Sequence, residues 1–450
     1  LFAGTGNPTN DFYGGQRRGD GLYGNCVLAI DAATGKLIWH YQVVRHDVWD
    51  MDLPTPPVCV TVMREGKKID AVAQTTKTGF IYVFERETGK PLFPMEERPV
   101  PVNTPLPEEK LAPTQPFPSL PRPFARQLIT VNDLNPFVAD TAKIRQRFLN
   151  ARYEGIFTPP TKEGTLILPG YDGGGEWGGP SFDPATHMLY VNGNEMAWIL
   201  NIVENKPGTL TFDTRLEAGK SLYNLHCMGC HGPELQGGGD YPSLLGVKNR
   251  ITPVKFNELL STGRRMMPGF NHLTNDEKDA IASFILDLKS EQSKKYKGKV
   301  TVNPAQTKSS YGFTGYNRFL TEEGYPAISP PWGTLSAIDL NTGEYKWQIP
   351  FGEYEELKQK GIPATGRENY GAPVVTAGGL LFVAATTDRR FRAINKRTGE
   401  ILFETELPAS GIATPSVYSV SGKQFVVIAC GGFKAGGKQG DAYVAFSIQP

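Results

Sequence analysis

Residues 29–39 read Ala29-Ile30-Asp31-Ala32-Ala33-Thr34-Gly35-Lys36-Leu37-Ile38-Trp39, and this frame recurs along the chain. It returns as Ala337-Ile338-Asp339-Leu340-Asn341-Thr342-Gly343-Glu344-Tyr345-Lys346-Trp347 and as Ala393-Ile394-Asn395-Lys396-Arg397-Thr398-Gly399-Glu400-Ile401-Leu402-Phe403. A weaker copy is Val83-Phe84-Glu85-Arg86-Glu87-Thr88-Gly89-Lys90-Pro91-Leu92-Phe93. Each copy predicts a strand, a tight Thr-Gly turn and a second strand that ends on an aromatic. Glycine supplies the positive φ that such a turn requires. The spacing is 54 residues from Asp31 to Glu85 and 56 from Asp339 to Asn395. A period of about 50 residues made of short strands is the signature of β-propeller blades. The predicted fold class is therefore mainly β. Residues 164–201 add a further strand-like stretch, so about five blades are expected.

The repeat is interrupted by Cys227-Met228-Gly229-Cys230-His231, the C-x-x-C-H pattern of covalent c-type haem attachment. Cys227 and Cys230 are the candidate thioether residues and His231 the proximal iron ligand. A C-x-x-C pair also serves redox disulfides and zinc sites, but Cys26, Cys59 and Cys430 stand alone and no second pair lies at zinc-ribbon spacing. A His/Met haem needs a methionine on the far face of the iron. Met267, in Gly263-Arg264-Arg265-Met266-Met267-Pro268-Gly269-Phe270, is the candidate, with Met266 as the alternative. Thr274-Asn275-Asp276-Glu277 reads as a capping box, opening a helix with Ile281, Phe284, Ile285 and Leu288 on one face. Residues 213–290 thus resemble a small all-α class I cytochrome c. The expected domains are 1–205, 213–290 and 311–450, joined by polar linkers 202–212 and 291–312. The proline-rich segment 94–160 is expected to be a functional lid or unstructured, with a short helix near 140–150.

Bulk composition narrows the function classes. A net charge of +1 argues against nucleic acid or an anionic membrane surface as a main partner. No run approaches the 18 apolar residues of a membrane span. Gly (50) and Pro (36) make about 19% of the 450 residues, against an average of about 12%, which suits turn-rich β structure. Five cysteines do not make a disulfide scaffold, so the compartment follows from the haem, whose attachment outside the bacterial inner membrane implies the periplasm. The start, Leu1-Phe2-Ala3-Gly4-Thr5-Gly6-Asn7, lacks an initiator Met and a signal peptide, and reads as a truncation inside a strand.

Several stretches outside the cytochrome segment resemble the pyrroloquinoline-quinone (PQQ) dehydrogenases, nearest the membrane-type glucose dehydrogenase branch. They are Gly4-Thr5-Gly6-Asn7-Pro8, His46-Asp47-Val48-Trp49-Asp50-Met51-Asp52-Leu53-Pro54, Lys77-Thr78-Gly79, Arg152-Tyr153-Glu154-Gly155-Ile156-Phe157-Thr158-Pro159-Pro160, Glu176-Trp177-Gly178-Gly179, Ala413-Thr414-Pro415 and Gly422-Lys423-Gln424-Phe425-Val426-Val427-Ile428. The resemblance covers nearly all of 1–200 and 311–450. It implies an eight-bladed propeller, of which this chain holds a part, with PQQ above a divalent metal, usually calcium. It implies Asp50 as the catalytic base and a calcium ligand, Asn7 as a second calcium ligand, and Lys77 as hydrogen-bond partner of the quinone oxygens. Asn194 and Trp177 are implied to face the cofactor. Asp52 matches a position that binds metal in lanthanide-using relatives, while its neighbours follow the glucose-type branch. His46 is read as a structural hydrogen-bonder. Further pocket residues of the family, including a tryptophan floor, would precede Leu1.

Taken together, the sequence predicts a periplasmic quinohaemoprotein dehydrogenase. Its substrate is an alcohol or sugar, its cofactors are PQQ, Ca²⁺ and haem c, and its partner is a downstream respiratory electron acceptor. The competing expectation is an electron-transfer cytochrome on an inactive propeller.

Overall fold

The computed structural model describes residues 1–205, 208–237, 241–302, 310–432 and 437–447; the expected linkers 202–212 and 291–312 lie partly outside these residues. Two compact units emerge. Leu1–Pro160, Thr165–Ile199 and Phe319–Pro450 form the first, and Thr161–Gly164 with Leu200–Arg318 the second. The chain crosses between units at 160/161, 164/165, 199/200 and 318/319, against the 205 and 311 read from sequence.

In the first unit, among the described residues, five antiparallel sheets of three or four strands lie wholly within the unit and follow one another along the chain. The first joins Phe2–Gly4, Cys26–Ile30 and Leu37–Gln42, and the second Val58–Arg64, Lys67–Thr75 and Ile81–Glu85. The third joins Ser181–Asp183, Met188–Asn194, Gly333–Asp339 and Glu344–Pro350. The fourth holds Val374–Val375, Leu380–Val383, Arg390–Asn395 and Ile401–Glu406, and the fifth Ser416–Val420, Lys423–Cys430 and Ala442–Phe446. Period-two burial explains why these segments are strands: Val60 and Val62 are buried while Cys59 and Met63 face outward. Inner strands such as Met188–Asn194 are buried along their whole length.

Successive sheets stack through shared apolar cores. Val60, Val62, Ala71 and Ile81 of the second pack with Leu189, Val191 and Ile338 of the third. Tyr190 and Leu335 of the third pack with Leu381, Val383 and Ile394 of the fourth, and Phe391 of the fourth with Val426 and Ile428 of the fifth. Face-to-face stacking of short antiparallel sheets in chain order is the arrangement of propeller blades.

The repeat explains the stacking. The aromatic that ends one copy docks on the Thr-Gly turn of the next. Trp39 donates its Nε1–H to the Arg86 carbonyl at 3.0 Å, and Trp347 donates to the Lys396 carbonyl at 3.2 Å. The turn glycines Gly89, Gly343 and Gly399 all have positive φ. A Cβ on Gly89 would lie 2.6 Å from the Trp39 ring, one on Gly399 3.0 Å from Trp347, and one on Gly343 3.1 Å from Phe93. Glycine is needed there twice over, for φ and for ring contact.

Two expectations are corrected. Residues 165–200 do not build a blade alone, because Met188–Asn194 pairs in register with Gly333–Asp339, from Met188 opposite Asp339 to Asn194 opposite Gly333. Residues 195–332 are thus the connection of one hairpin, and the third sheet is completed by strands that follow it. The fifth sheet carries no Thr-Gly frame; Ser421-Gly422, with φ of 50° and 75°, makes its two-residue hairpin turn. In the weak repeat copy the outgoing strand shrinks to a single bridge, Phe84 to Pro91, since proline has no N–H to extend a ladder. Segment 94–160 is structured, with a ladder between Met95–Pro99 and Thr114–Pro118 and a helix at Thr141–Asn150.

The second unit is helical around its core. Arg215–His226 and Asn275–Ile285 each begin with a complete capping box, Thr214/Glu217 and Thr274/Glu277. The two helices meet at Gly219, where a Cβ would lie 2.1 Å from the Ala280 carbonyl oxygen. Ile281 and Ile285 are buried, and Phe284 and Leu288 pack against the same core, Leu288 from beyond the helix end. Among the described residues no helix is long and apolar enough to cross a membrane.

Two substitutions separate the glycine requirements. Gly35→Ala meets open space at positive φ and is expected to cost about 1–2 kcal/mol for the left-handed backbone. Gly89→Ala adds the clash with Trp39, about 1–3 kcal/mol more. Denaturant midpoints measured side by side check the order; equal losses would remove the docking contact from the account.

Candidate functional site

Three loops of the first unit converge on one buried ammonium. Lys77, after the strand Lys67–Thr75, places Nζ 2.6 Å from Asp52 Oδ1 and 3.2 Å from Asp50 Oδ2. The third loop, Gly173–Gly179, is tied on by N–H groups of Gly174 and Gly175 that donate to the carbonyls of Lys77 and Thr76 at 2.6 and 3.1 Å. Gly174 must lack a side chain, because a Cβ would sit 2.8 Å from Gly79 Cα.

The electrostatics follow from burial and from an imbalance of sign. Burial first, then the carboxylates of Asp52, Asp11 and Asp47, raise the Asp50 pKa to about 8 against the opposing pull of Lys77. Burial alone would lower the Lys77 pKa, but Asp50 and Asp52 outweigh it and hold the ammonium charged. The ammonium sits nearer Asp52, so Asp50 is the less compensated partner. Glu176, buried in the third loop, adds to the field on Lys77.

The other candidates fall at defined places. Trp177 is 44% exposed and its ring lies nearly parallel to Tyr370, with centroids 6.5 Å apart. Asn7 donates Nδ2 to Asp11 Oδ1 at 3.0 Å. Asn194 spends both ends of its amide on the backbone of Asn369, donating to its carbonyl and accepting from its N–H at 2.8 Å each. His46 has both ring nitrogens engaged, Nδ1 with the Gly19 carbonyl and Nε2 with Glu109, each at 2.7 Å.

In the second unit the C-x-x-C-H motif follows directly on helix Arg215–His226, and Met228–His231 forms one further helical turn. That turn puts both thiols and the imidazole on a single short element. Neither Cys227 nor Cys230 is in a disulfide, and burial pushes the Cys227 thiol up to about 12. His231 Nδ1 lies 2.9 Å from the Pro242 carbonyl, a contact that orients the ring and does not use Nε2. Burial lowers the His231 pKa, favouring the neutral ring that binds a metal. Arg264 and Met267 exchange backbone hydrogen bonds at 2.9 and 3.0 Å, turning Met267 against the core of the unit while Met266 is 54% exposed.

Residues 1–225 and 257–426 match the family described as PQQ, glucose/ethanol/alcohol dehydrogenase, beta-propeller domain. The chain belongs to this family. Residues 214–285 match cytochrome C oxidase, cbb3-type, subunit III, which gives this PQQ dehydrogenase chain a cytochrome c domain. It is 32% identical over 461 residues to quinoprotein glucose dehydrogenase of Escherichia coli (strain K12), covering 100% of this chain and 47% of that protein. The chain thus spans about half the length of the curated relatives it matches. It is 40% identical over 92 residues to quinohemoprotein alcohol dehydrogenase ADH IIB of Pseudomonas putida, covering 20% of this chain and 13% of that one. Quinohemoprotein alcohol dehydrogenase from Comamonas testosteroni shares the fold, with TM-score 0.51 at 19% identity, covering 99% of this chain and 45% of that one.

The residues present fit the groups the family implies. A buried ammonium, and an exposed aromatic ring on the loop tied to its backbone, suit a flat, anionic quinone. Five carboxylates, Asp11, Asp47, Asp50, Asp52 and Glu176, against two cations, Lys77 and Arg17, leave room for a hard divalent ion, although among the described residues no three His, Cys, Asp or Glu side chains converge as a metal-binding group.

Four residues missed from sequence act on the site. Asp11, Glu176 and Asp47 add negative charge, and Glu109 anchors the proline-rich segment through His46 and the Gly14 N–H, which it accepts at 2.6 Å. Asp47 and Glu176 lay inside the matching stretches; Glu109, 63 positions from His46, had no local signal.

The charge imbalance has a pH signature. The folded Asp50 pKa of about 8 exceeds the unfolded value of about 3.9, so folding retains a proton between these limits and stability falls as pH rises through them. Without quinone or cation, Asp50→Asn is expected to melt above the parent at pH 8 and to converge with it near pH 4. A gap constant across pH would contradict the burial argument.

Proposed function

We propose that this chain carries the catalytic and electron-outlet parts of a periplasmic quinohaemoprotein dehydrogenase that oxidises an alcohol or sugar hydroxyl. The observation that carries the reading is the buried Asp50–Lys77–Asp52 cluster, a carboxyl with a near-neutral pKa held against a fixed ammonium. Asp50 accepts the hydroxyl proton, and a base with a pKa near the working pH is the efficient choice. Lys77 stabilises negative charge that develops on the neighbouring oxygen, and Asp52 keeps Lys77 protonated and in place. PQQ, when bound, supplies the two-electron acceptor for the substrate hydride. Asn7 and Asp50 are the oxygen donors of this chain for calcium. Trp177 offers its open face to the cofactor, and Asn194 holds the Asn369 backbone beside that region.

The cytochrome domain provides the outlet. Cys227 and Cys230 would anchor haem c, His231 and Met267 would hold its iron, and the bound group would supply a one-electron outlet toward a respiratory acceptor. Haem attachment supports the periplasmic location. The names of the relatives support the quinone-dependent oxidation of a sugar or alcohol.

The test uses the full-length protein reconstituted with PQQ and Ca²⁺. Substrate should reduce the haem, and Asp50→Asn should slow turnover by about 10²–10⁴-fold with haem content unchanged. Full turnover in Asp50→Asn, or no binding of PQQ, would leave the electron-transfer scaffold as the better account. Met267→Ala should abolish the methionine–iron absorption signature of the oxidised haem, and Met266→Ala should retain it.

A further inference from the structure

Asp47 has the most constrained carboxylate near the site, and it reaches neither Lys77 nor any group assigned to substrate. It is wholly buried. Its Oδ1 accepts the Trp49 N–H at 2.7 Å, and its Oδ2 accepts the Met51 N–H at 2.8 Å and Asn25 Nδ2 at 2.8 Å. The two backbone donors belong to the residues on either side of Asp50. Asn25 Nδ2 also donates to the Met51 carbonyl at 2.9 Å, and Arg17 Nη2 donates to the Asp47 carbonyl at 2.6 Å. Trp49 is itself fixed, fully buried and donating Nε1–H to the Thr158 carbonyl at 2.7 Å.

The consequence falls on Asp50. With both neighbours tied to one carboxylate, the backbone at Asp50 closes at φ 60°, a left-handed conformation that L side chains adopt rarely. Strain of this kind persists only where the surroundings over-determine it. Here three hydrogen bonds to Asp47 and the buried Trp49 and Met51 side chains do so. In this conformation Asp50 Oδ2 comes within 3.2 Å of Lys77 Nζ.

We infer that Asp47 is a positioning residue: its carboxylate imposes the left-handed turn that aims the Asp50 carboxyl at Lys77. The inference rests on the reading of Asp50 as the base. Asn at position 47 preserves volume and one acceptor, but turns an NH₂ toward donors that need an acceptor. The turn then loses its template, and misplacement of a reacting group by about 1 Å is enough to cost about 10²-fold in rate.

Asp47→Asn is tested in the full-length, PQQ-loaded protein, with kcat expressed per bound PQQ, and its crystal structure is determined. The expected result is a kcat lower by about 10–100-fold, a KM within about threefold of the parent, unchanged haem content, and an Asp50 φ outside the left-handed region. Unchanged kcat per bound PQQ with only a lower melting temperature would make Asp47 merely structural and overturn the inference. So would a left-handed Asp50 retained in the crystal. Should Asp47→Asn not fold, Asn25→Ala removes one donor and the Met51 tie; a fall in kcat at constant KM is expected, and an unchanged kcat overturns the inference. Asp50→Asn run in parallel separates the two readings: if it keeps full turnover the base assignment fails, and if it is inactive while Asp47→Asn is at parental rate only the positioning role fails.

Discussion

The contact between an aromatic ring and the glycine of the next Thr-Gly turn carries the architecture of the first unit. Trp39 over Gly89, Phe93 over Gly343 and Trp347 over Gly399 each join the end of one blade to the hairpin of its successor. The contact has one apolar and one polar part, since both tryptophans also donate Nε1–H to a turn carbonyl. It therefore sets distance and orientation together. Blade stacking does not depend on the loop inside a blade, which is why the hairpin connection 195–332 of the third blade can hold an entire cytochrome c domain. The ladder between Met188–Asn194 and Gly333–Asp339 keeps its register because both faces of both strands are packed, and a one-residue slip would send every side chain to the wrong packed face.

The catalytic candidates depend on that framework for their chemistry. A carboxyl, an ammonium and a second carboxyl brought together in water would titrate almost normally. Buried between loops fixed by adjacent blades, they interact strongly and Asp50 moves to about 8. The same loops carry glycines where backbones approach most closely, at Gly174 against Gly79 and at Gly178 against Tyr370 and Ala372. The cytochrome unit solves a simpler problem. A short helical turn presents Cys227, Cys230 and His231, and a single carbonyl, Pro242, orients the imidazole.

Local chemistry explains what could be read in advance. The haem motif, the capping box at Thr274 and the Thr-Gly frames are short segments whose meaning is complete within a dozen residues. Asp50, Lys77 and Trp177 could be named because matching stretches surround them. Glu109 could not, since its partner His46 lies 63 positions away, with the whole second sheet between them. Asn194 looked like a pocket residue from its neighbours, and its commitment to Asn369 appears only when two blades are adjacent. The fifth blade escaped notice because its hairpin turns on Ser421-Gly422 and lacks the repeat.

The amino-acid sequence by itself determined the blade repeat, the C-x-x-C-H motif and the chemical types available to a quinone site, because these depend on spacing along one chain. Tertiary structure alone decided that the third blade is closed across the cytochrome domain, that Met267 and not Met266 packs against the core of its unit, and that Asp47 templates the turn at Asp50. Those outcomes depend on which distant segments exclude water from one another, and burial is what gives a carboxylate, a methionine or a backbone N–H a unique partner.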